Sequence, residues 1–357
     1  MEERTGWLAT ASHFVHRHFL WLLLGSYALA AVSPALGGQL RAASVGHLAV
    51  RGESVELTLP AVLLASLLFS AGLAVRGDHL RRVLRRPALL TLALAANAAV
   101  PVALVLAAGQ VLQLWHNPDE AETVVIGLAL VAAMPVAGSS AGWAQRADAD
   151  LALSLGLVLL STLLSPLTTP AALRAVCLCA PGDLTAELGQ LTGARTTSFL
   201  GLFVLLPSLL GVLTGRLAGD ARSARAKPGL KLATSTALLV LCYANASACL
   251  PRAVADPDWD LLAVTLAAVV GSCAGLFASG WAVARLLGAG PAQQASLMFG
   301  LGMSNNGTGQ VLASVALAAQ PAVLLPVIIY NLVQHLMAAF ADSLLSRLAG
   351  GAKAQPC

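Results

Sequence analysis

Two short polar runs interrupt apolar stretches of this chain. The first reads Met134-Pro135-Val136-Ala137-Gly138-Ser139-Ser140-Ala141-Gly142, and the second Gly300-Leu301-Gly302-Met303-Ser304-Asn305-Asn306-Gly307-Thr308-Gly309. Hydroxyls, carboxamides and an unwound backbone in this combination suit the holding of a solute by uncharged groups. A broken helix frees N–H groups at the start of one piece and C=O groups at the end of the other. Aligned peptide dipoles make the first attractive to anions and the second to cations. Close packing of small residues accounts for Ala-rich stretches such as 91–99, but not for Ser304, Asn305 and Asn306 in a row. Ser139, Asn305, Asn306 and Thr308 are therefore assigned to a solute, with Gln310 one turn later.

Other polar residues sit deep in apolar runs. Asn97 precedes Pro101, and Ser154, Ser161, Thr162 and Ser165 lie along one run. Asn245 and Ser247 lie on another, near Cys242 and Cys249. Asn331, Gln334 and His335, after Tyr330, share a helical face at i, i+3 and i+4 and are expected to line the same cavity. No acidic residue falls deep in an apolar run, and Asp342, near the end of the last one, is expected to pair with a basic group.

The elements that carry these residues must cross a membrane. The chain has 357 residues, 57% hydrophobic and 11% charged, against about a quarter charged in soluble domains. Its mean hydropathy is +0.78. A net charge of +4 gives no reason to expect a nucleic-acid partner, and six scattered cysteines without metal spacing read as small apolar fillers. A crossing helix needs about 20 mostly apolar residues. Ten such spans are read: 18–37, 55–76, 87–113, 123–143, 150–175, 196–216, 231–250, 259–286, 290–318 and 321–347. Glu2 and Glu3 argue against a cleaved signal peptide. Trp7 to Phe19, with His13, His16, Arg17 and His18, reads as a short interfacial helix.

Basic loops set the orientation. Arg76, Arg81, Arg82, Arg85 and Arg86 follow the second span, and Arg216, Arg222, Arg225, Lys227 and Lys231 follow the sixth. Arg146, Arg285, Arg347 and Lys353 fall on the same side. The acidic loops at Asp119, Glu120 and Glu122 and at Asp256, Asp258 and Asp260 alternate with them. The expectation is a multi-pass protein of the cytoplasmic membrane with both termini cytoplasmic. Residues 1–216 and 231–357 are joined by a basic linker, 217–230. The ten spans group five and five, so the halves start on opposite sides. The fold expected is an all-α polytopic membrane protein: ten transmembrane helices in two inverted five-helix repeats, with helices 4 and 9 unwound and crossing.

Four stretches carry a family resemblance. They are Phe69-Ser70-Ala71-Gly72-Leu73 with Arg81-Arg82-Val83-Leu84-Arg85-Arg86-Pro87; Pro135 to Ser140; Asp150 to Pro170; and Gly302-Met303-Ser304-Asn305. Together they resemble the bile acid–sodium symporter family over essentially the whole chain. The resemblance implies a panel domain of spans 1, 2, 6 and 7 and a core domain of spans 3–5 and 8–10. It implies alternating access and transport of a small organic anion with sodium. The metal site it implies for sodium comprises Ser140, Ser154, Gly300, Leu301, Met303, Ser304 and Asn97. The chain departs from the family pattern at several of these places. Ala141 stands where an asparagine is expected, Val158 for a threonine, Gly300 for an acidic ligand and Ser304 for a glutamine. The polar position of the third span is either Ala96 or Asn97. Sodium-independent or proton-linked transport is the alternative.

Two readings come from other classes. The short loops and termini leave no soluble receiving domain, but a non-transporting membrane sensor or scaffold would keep the fold. Gly138-Ser139-Ser140-Ala141-Gly142 also fits a G-x-S-x-G nucleophile pattern, which with His335 would make a Ser–His intramembrane protease. That reading requires Ser140 to reach His335, and it gives Ser304, Asn305 and Asn306 no role. Substrate identity and oligomeric state are not set by these residues.

Overall fold

The computed structural model describes residues 10–15, 17–50, 53–75, 87–179, 188–189 and 191–353, the side chains of 48–50, 53–55, 219–228 and 348–353 excepted. The basic loop from Arg76 to Arg86, Trp7, His16 and Cys357 lie outside the described residues, as do the side chains of Arg222, Arg225, Lys227 and Lys353.

The protein is mostly helical, and among the described residues six helices are long and apolar enough to cross a membrane: Pro87–Leu112, Leu151–Cys179, Ala194–Ala218, Gly229–Ala246, Trp259–Leu286 and Pro321–Arg347. They coincide with the spans read at 87–113, 150–175, 196–216, 231–250, 259–286 and 321–347. A seventh crossing is possible in the bent pair α1 (Phe19–Val32) and α2 (Pro34–Ala42), which turn through 96°. The sequence reads this region as one span to residue 37. Pro34 has no N–H to continue the ladder and forces the preceding Ser33 out of the helical region. The turned piece is held by Tyr243: its hydroxyl donates to Ser33 O at 2.6 Å and accepts from Gly37 N–H at 3.2 Å.

An antiparallel hairpin follows, β1 (Ser44–Val50) with β2 (Glu53–Thr58). It leads into the short apolar helix α3 (Leu59–Leu73), so the second apolar stretch becomes helical later than residue 55. After α4 (Pro87–Leu112), the fourth stretch resolves into α5 (Pro118–Ala132) and α6 (Gly138–Arg146). Then come α7 (Leu151–Cys179), α8 (Ala194–Leu200), a π-turn and α9 (Leu206–Ala246). The stretch 217–230, expected as a linker, runs as helix within α9. Helix α9 meets α3 backbone to backbone. A Cβ on Gly211 would lie 2.1 Å from Phe69 O, and one on Gly72 would lie 2.2 Å from Ser208 O. Only small residues let two membrane helices approach this closely.

The chain ends through α10 (Leu250–Ala255), α11 (Trp259–Leu286), α12 (Pro291–Gly302), α13 (Asn306–Ala316) and α14 (Leu324–Lys353). At one end of the bundle Asp342 pairs with Arg146 at 3.0 Å, as expected of it. The two acidic loops meet elsewhere through His116 and Asp260, also at 3.0 Å.

Candidate functional site

Both polar runs are true breaks, and they pair with each other. Pro135 cannot extend α5, so that helix stops at Ala132, the chain turns at Ala133 and Met134, and it is extended at Val136 and Ala137. Helix α12 stops at Gly302, and Met303 is extended. The unwound pieces form an antiparallel bridge at Val136 and Ser304. Ala137 N–H donates to Met303 O at 2.9 Å, and Asn305 N–H to Pro135 O at 2.8 Å. This register sets the start of α6 beside the end of α12, and the start of α13 beside the end of α5. At each meeting a positive helix end faces a negative one, which stabilises both without a buried ion.

Neighbouring helices satisfy further groups of the unwound backbone. From α7, Ser161 Oγ accepts from Val136 N–H at 3.0 Å, and Thr169 Oγ1 donates to Ala133 O at 2.6 Å. Pro166 frees the carbonyl of Thr162, and Ser165 Oγ donates to it at 2.8 Å. From α14, Gln334 Oε1 accepts from Ser304 N–H at 3.1 Å. Gln334 Nε2 donates to Asn331 Oδ1 at 3.3 Å, and Asn331 Nδ2 donates to Tyr27 OH at 2.8 Å. A polar thread thus runs from the second break through α14 to α1.

The residues assigned to a solute fall into distinct places. Asn305 caps α13, its Oδ1 accepting from Thr308 N–H at 3.3 Å. Asn306 and Thr308 are fully buried, and Asn306 Nδ2 and Oδ1 and Thr308 Oγ1 have no hydrogen-bond partner. Ser139 is half-buried in the first turn of α6. That turn has no side-chain cap, its N-cap being Ala137. Asn331 and Gln334 belong to the polar thread. His335 is apart from them: its Nδ1 accepts from Trp143 Nε1 at 3.4 Å, and its ring meets Phe19 edge-on at 5.8 Å. It joins α14 to α6 and α1. Ser140 Oγ donates to Ala137 O at 2.7 Å, so the Ser140–His335 pair that a protease needs is not made among the described residues.

Three further participants stand here: Gln310, which the sequence places one turn beyond Asn306, and Asn245 and Tyr27, which it does not assign to a solute. Gln310, one turn beyond Asn306, has an unpartnered Nε2, and its Oε1 accepts from Asn245 Nδ2 at 3.5 Å. Asn245 Oδ1 is also unpartnered. The i, i+4 spacing of Asn306 and Gln310 is a local signal. The roles of Asn245 and Tyr27 have none, because they arise from contacts far along the chain. Such orphans are rare in folded proteins, since leaving a buried polar group unpaired costs about 1–3 kcal/mol. Asn245, Asn306, Thr308 and Gln310 carry five of them, donors and acceptors together.

The residues implied for sodium do not fit a cation. Ser154 Oγ, like that of Ser140, donates to a backbone carbonyl, Asp150 O, at 3.3 Å. Their surroundings are hydrocarbon: Ala141, Leu157 and Val158 are all buried. A Cβ on Gly300 would already lie 3.1 Å from Leu157 Cδ1. At α4 the inward position is Ala96, packed in one cluster with Leu297 and Leu301, while Asn97 is half-buried beside it. Met303 O accepts from Ala137 N–H, which leaves it one lone pair. Gly300 and Leu301 could offer only main-chain carbonyls, and Ser304 a single hydroxyl. A buried monovalent ion is held by several convergent oxygens, and nearby negative charge tightens it.

Comparison with known proteins agrees with this architecture. Over 227 residues the chain is 29% identical to the "Uncharacterized protein YbaS" of Bacillus subtilis (strain 168), covering 62% of this chain and 69% of that one. Residues 61–250 match the family described as "Sodium Bile acid symporter family". That region holds the first break and the helix that supports it, and it is more than half of the sequence: the chain belongs to the sodium bile acid symporter family.

Proposed function

We propose that the protein is a secondary transporter that moves a small organic anion across the cytoplasmic membrane by alternating access. Its ten crossings form two inverted halves, with both termini cytoplasmic. Membership of a family of transporters supports the reading, and so do the apolar helices and the pairing of the two breaks. The observation that carries it is the set of unpartnered atoms on Asn245, Asn306, Thr308 and Gln310 beside the second break. A polar solute that enters there removes a cost the closed protein bears. The solute's negative group is met by the uncapped start of α6, at Gly138 and Ser139, where the dipole favours an anion.

Among the described residues the side-chain hydrogen bonds that join the proposed panel to the proposed core are uncharged: Asn331 donates to Tyr27 OH and to Cys242 Sγ, and Asn245 donates to Gln310. Neutral bonds worth about 1 kcal/mol each can break and re-form within a transport cycle. The test is uptake of labelled organic acids by the purified full-length protein in liposomes. Uptake should exceed that of protein-free liposomes for at least one acid and vanish in Asn306→Leu. Failure of every acid to enter would leave a membrane scaffold as the better reading.

A further inference from the structure

We infer that this protein carries its solute without sodium, because the place between α6, α7, α12 and α4 that the family resemblance implies for the ion is packed hydrocarbon. The inference rests on the proposed transport function. Four observations carry it. First, Gly300 has no side chain to offer, and the space a longer one would enter is held by Leu157, which is fully buried. Second, Ala96, Leu153, Leu157, Leu297 and Leu301 form one continuous apolar cluster across α4, α7 and α12. Third, Ser140 and Ser154 are the only hydroxyls left of that set on α6 and α7, and Ala141 and Val158 beside them are buried apolar residues that offer no oxygen. Fourth, the unpartnered polar atoms of this region lie on Asn245, Asn306, Thr308 and Gln310, and none is on Ser140 or Ser154. A cation site shows the reverse pattern: oxygens gathered and left over where the ion goes, with negative charge close by. Among the described residues, the only group of three or more His, Cys, Asp and Glu side chains close enough to share an ion is His116, Glu120 and Asp260, at the acidic loops.

The physical consequence is a cycle that no sodium gradient biases. An ion shifts a conformational equilibrium only through a difference in its affinity for the two states, and an ion that binds neither shifts nothing.

The deciding experiment is a sodium chloride titration of the purified full-length protein, at constant ionic strength against potassium and choline chlorides. It is read by radiosodium binding and by thermal denaturation. The expected result is no saturable sodium binding and the same melting temperature in all three salts. Saturable binding, or a rise in melting temperature selective for sodium, overturns the inference. In liposomes, acid uptake in an inward sodium gradient should equal that in a choline gradient, a ratio of about one. Clear stimulation by sodium also overturns it. The titration does not need a known solute. If no acid is taken up in either salt, the transport reading fails and the titration alone still decides whether sodium binds.

Discussion

The two breaks make the same backbone excursion and pair as equals, yet they are finished differently. The first borrows. Val136 N–H and Ala133 O are satisfied from α7, by Ser161 and Thr169, and the helix that follows starts without a side-chain cap. The second caps its helix with its own Asn305 and takes one acceptor, Gln334, from α14. It then buries carboxamide and hydroxyl groups with nothing to bind. The lesson is a division of labour. On the proposed reading the first break offers a helix start without a side-chain cap to the solute's charge, and the second offers unpaired side chains to its shape and hydrogen-bonding groups. A site that must release its solute is well served by dipoles and neutral groups, since neither leaves an uncompensated ion behind.

The largest effect that would sharpen this contrast is expected at Asn306. Its two polar side-chain atoms are buried and unpartnered. Asn306→Leu should raise stability by about 1–2 kcal/mol, because it removes an unpaid desolvation cost. The same change should abolish acid uptake. Thermal denaturation and liposome uptake on one preparation check both. A variant that is less stable and still active would break the comparison.

The next effect is steric and separates the breaks again. A Cβ on Gly302 would lie 2.4 Å from the Phe277 ring, while one on Gly138 meets nothing within 4 Å. Gly302→Ala should cost about 1–3 kcal/mol through overpacking, and Gly138→Ala should leave the melting temperature unchanged. Equal losses at the two sites would show that the first break is packed as tightly as the second.

Much of this was readable from residue types alone, for reasons that also explain what was not. Pro135 and the Gly-rich run at 300–309 locate the breaks because they act on their own backbone. The run 259–286 becomes a helix with those same ends, since lipid requires a long apolar stretch to be helical. The stretch 217–230 is too polar to read as a span, but hydropathy reports lipid contact and not backbone conformation. Its Ala, Arg, Lys and Leu residues are good helix formers, and α9 runs through them. The strand at Glu53–Thr58 merges with the apolar run that follows, and only Pro60, in the first turn of α3, marks the change. Tyr27 joins the site through Asn331, a partner 304 positions away, which no local pattern encodes. The family pattern suggested cation ligands at Gly300 and Val158. Their replacement was visible in the sequence, but that Leu157 stands in the vacated volume was not.

A smaller difference is expected between the two donors of backbone support. Gln334→Leu strands the buried Ser304 N–H and also frees Asn331 from the thread. Ser161→Ala strands Val136 N–H alone. Each should destabilise by about 1–3 kcal/mol, with Gln334→Leu the larger of the two. Amide hydrogen exchange of the purified protein gives a local readout. Faster exchange should be confined to the second break in one variant and the first in the other. Loss of protection at both breaks in either variant would mean that they unfold as one unit.

The smallest effect on stability should come from the cap itself, and it tests the sign of the solute's charge. Asn305 Oδ1 accepts from Thr308 N–H, and the residue is only partly buried. Asn305→Ala removes that acceptor and should cost about 1 kcal/mol. Asn305→Asp keeps it and adds a negative charge at a helix N-terminus, where the dipole stabilises it. The aspartate variant should therefore melt close to the parent protein. It should nonetheless take up organic acids more slowly than Asn305→Ala does, because a fixed carboxylate repels an incoming anion beside the paired breaks. The two variants thus separate folding from charge: the one that folds better transports worse. If Asn305→Asp matches the parent in uptake, the solute's anionic group is not drawn to this end of the crossing, and the uncapped start of α6 must meet it alone.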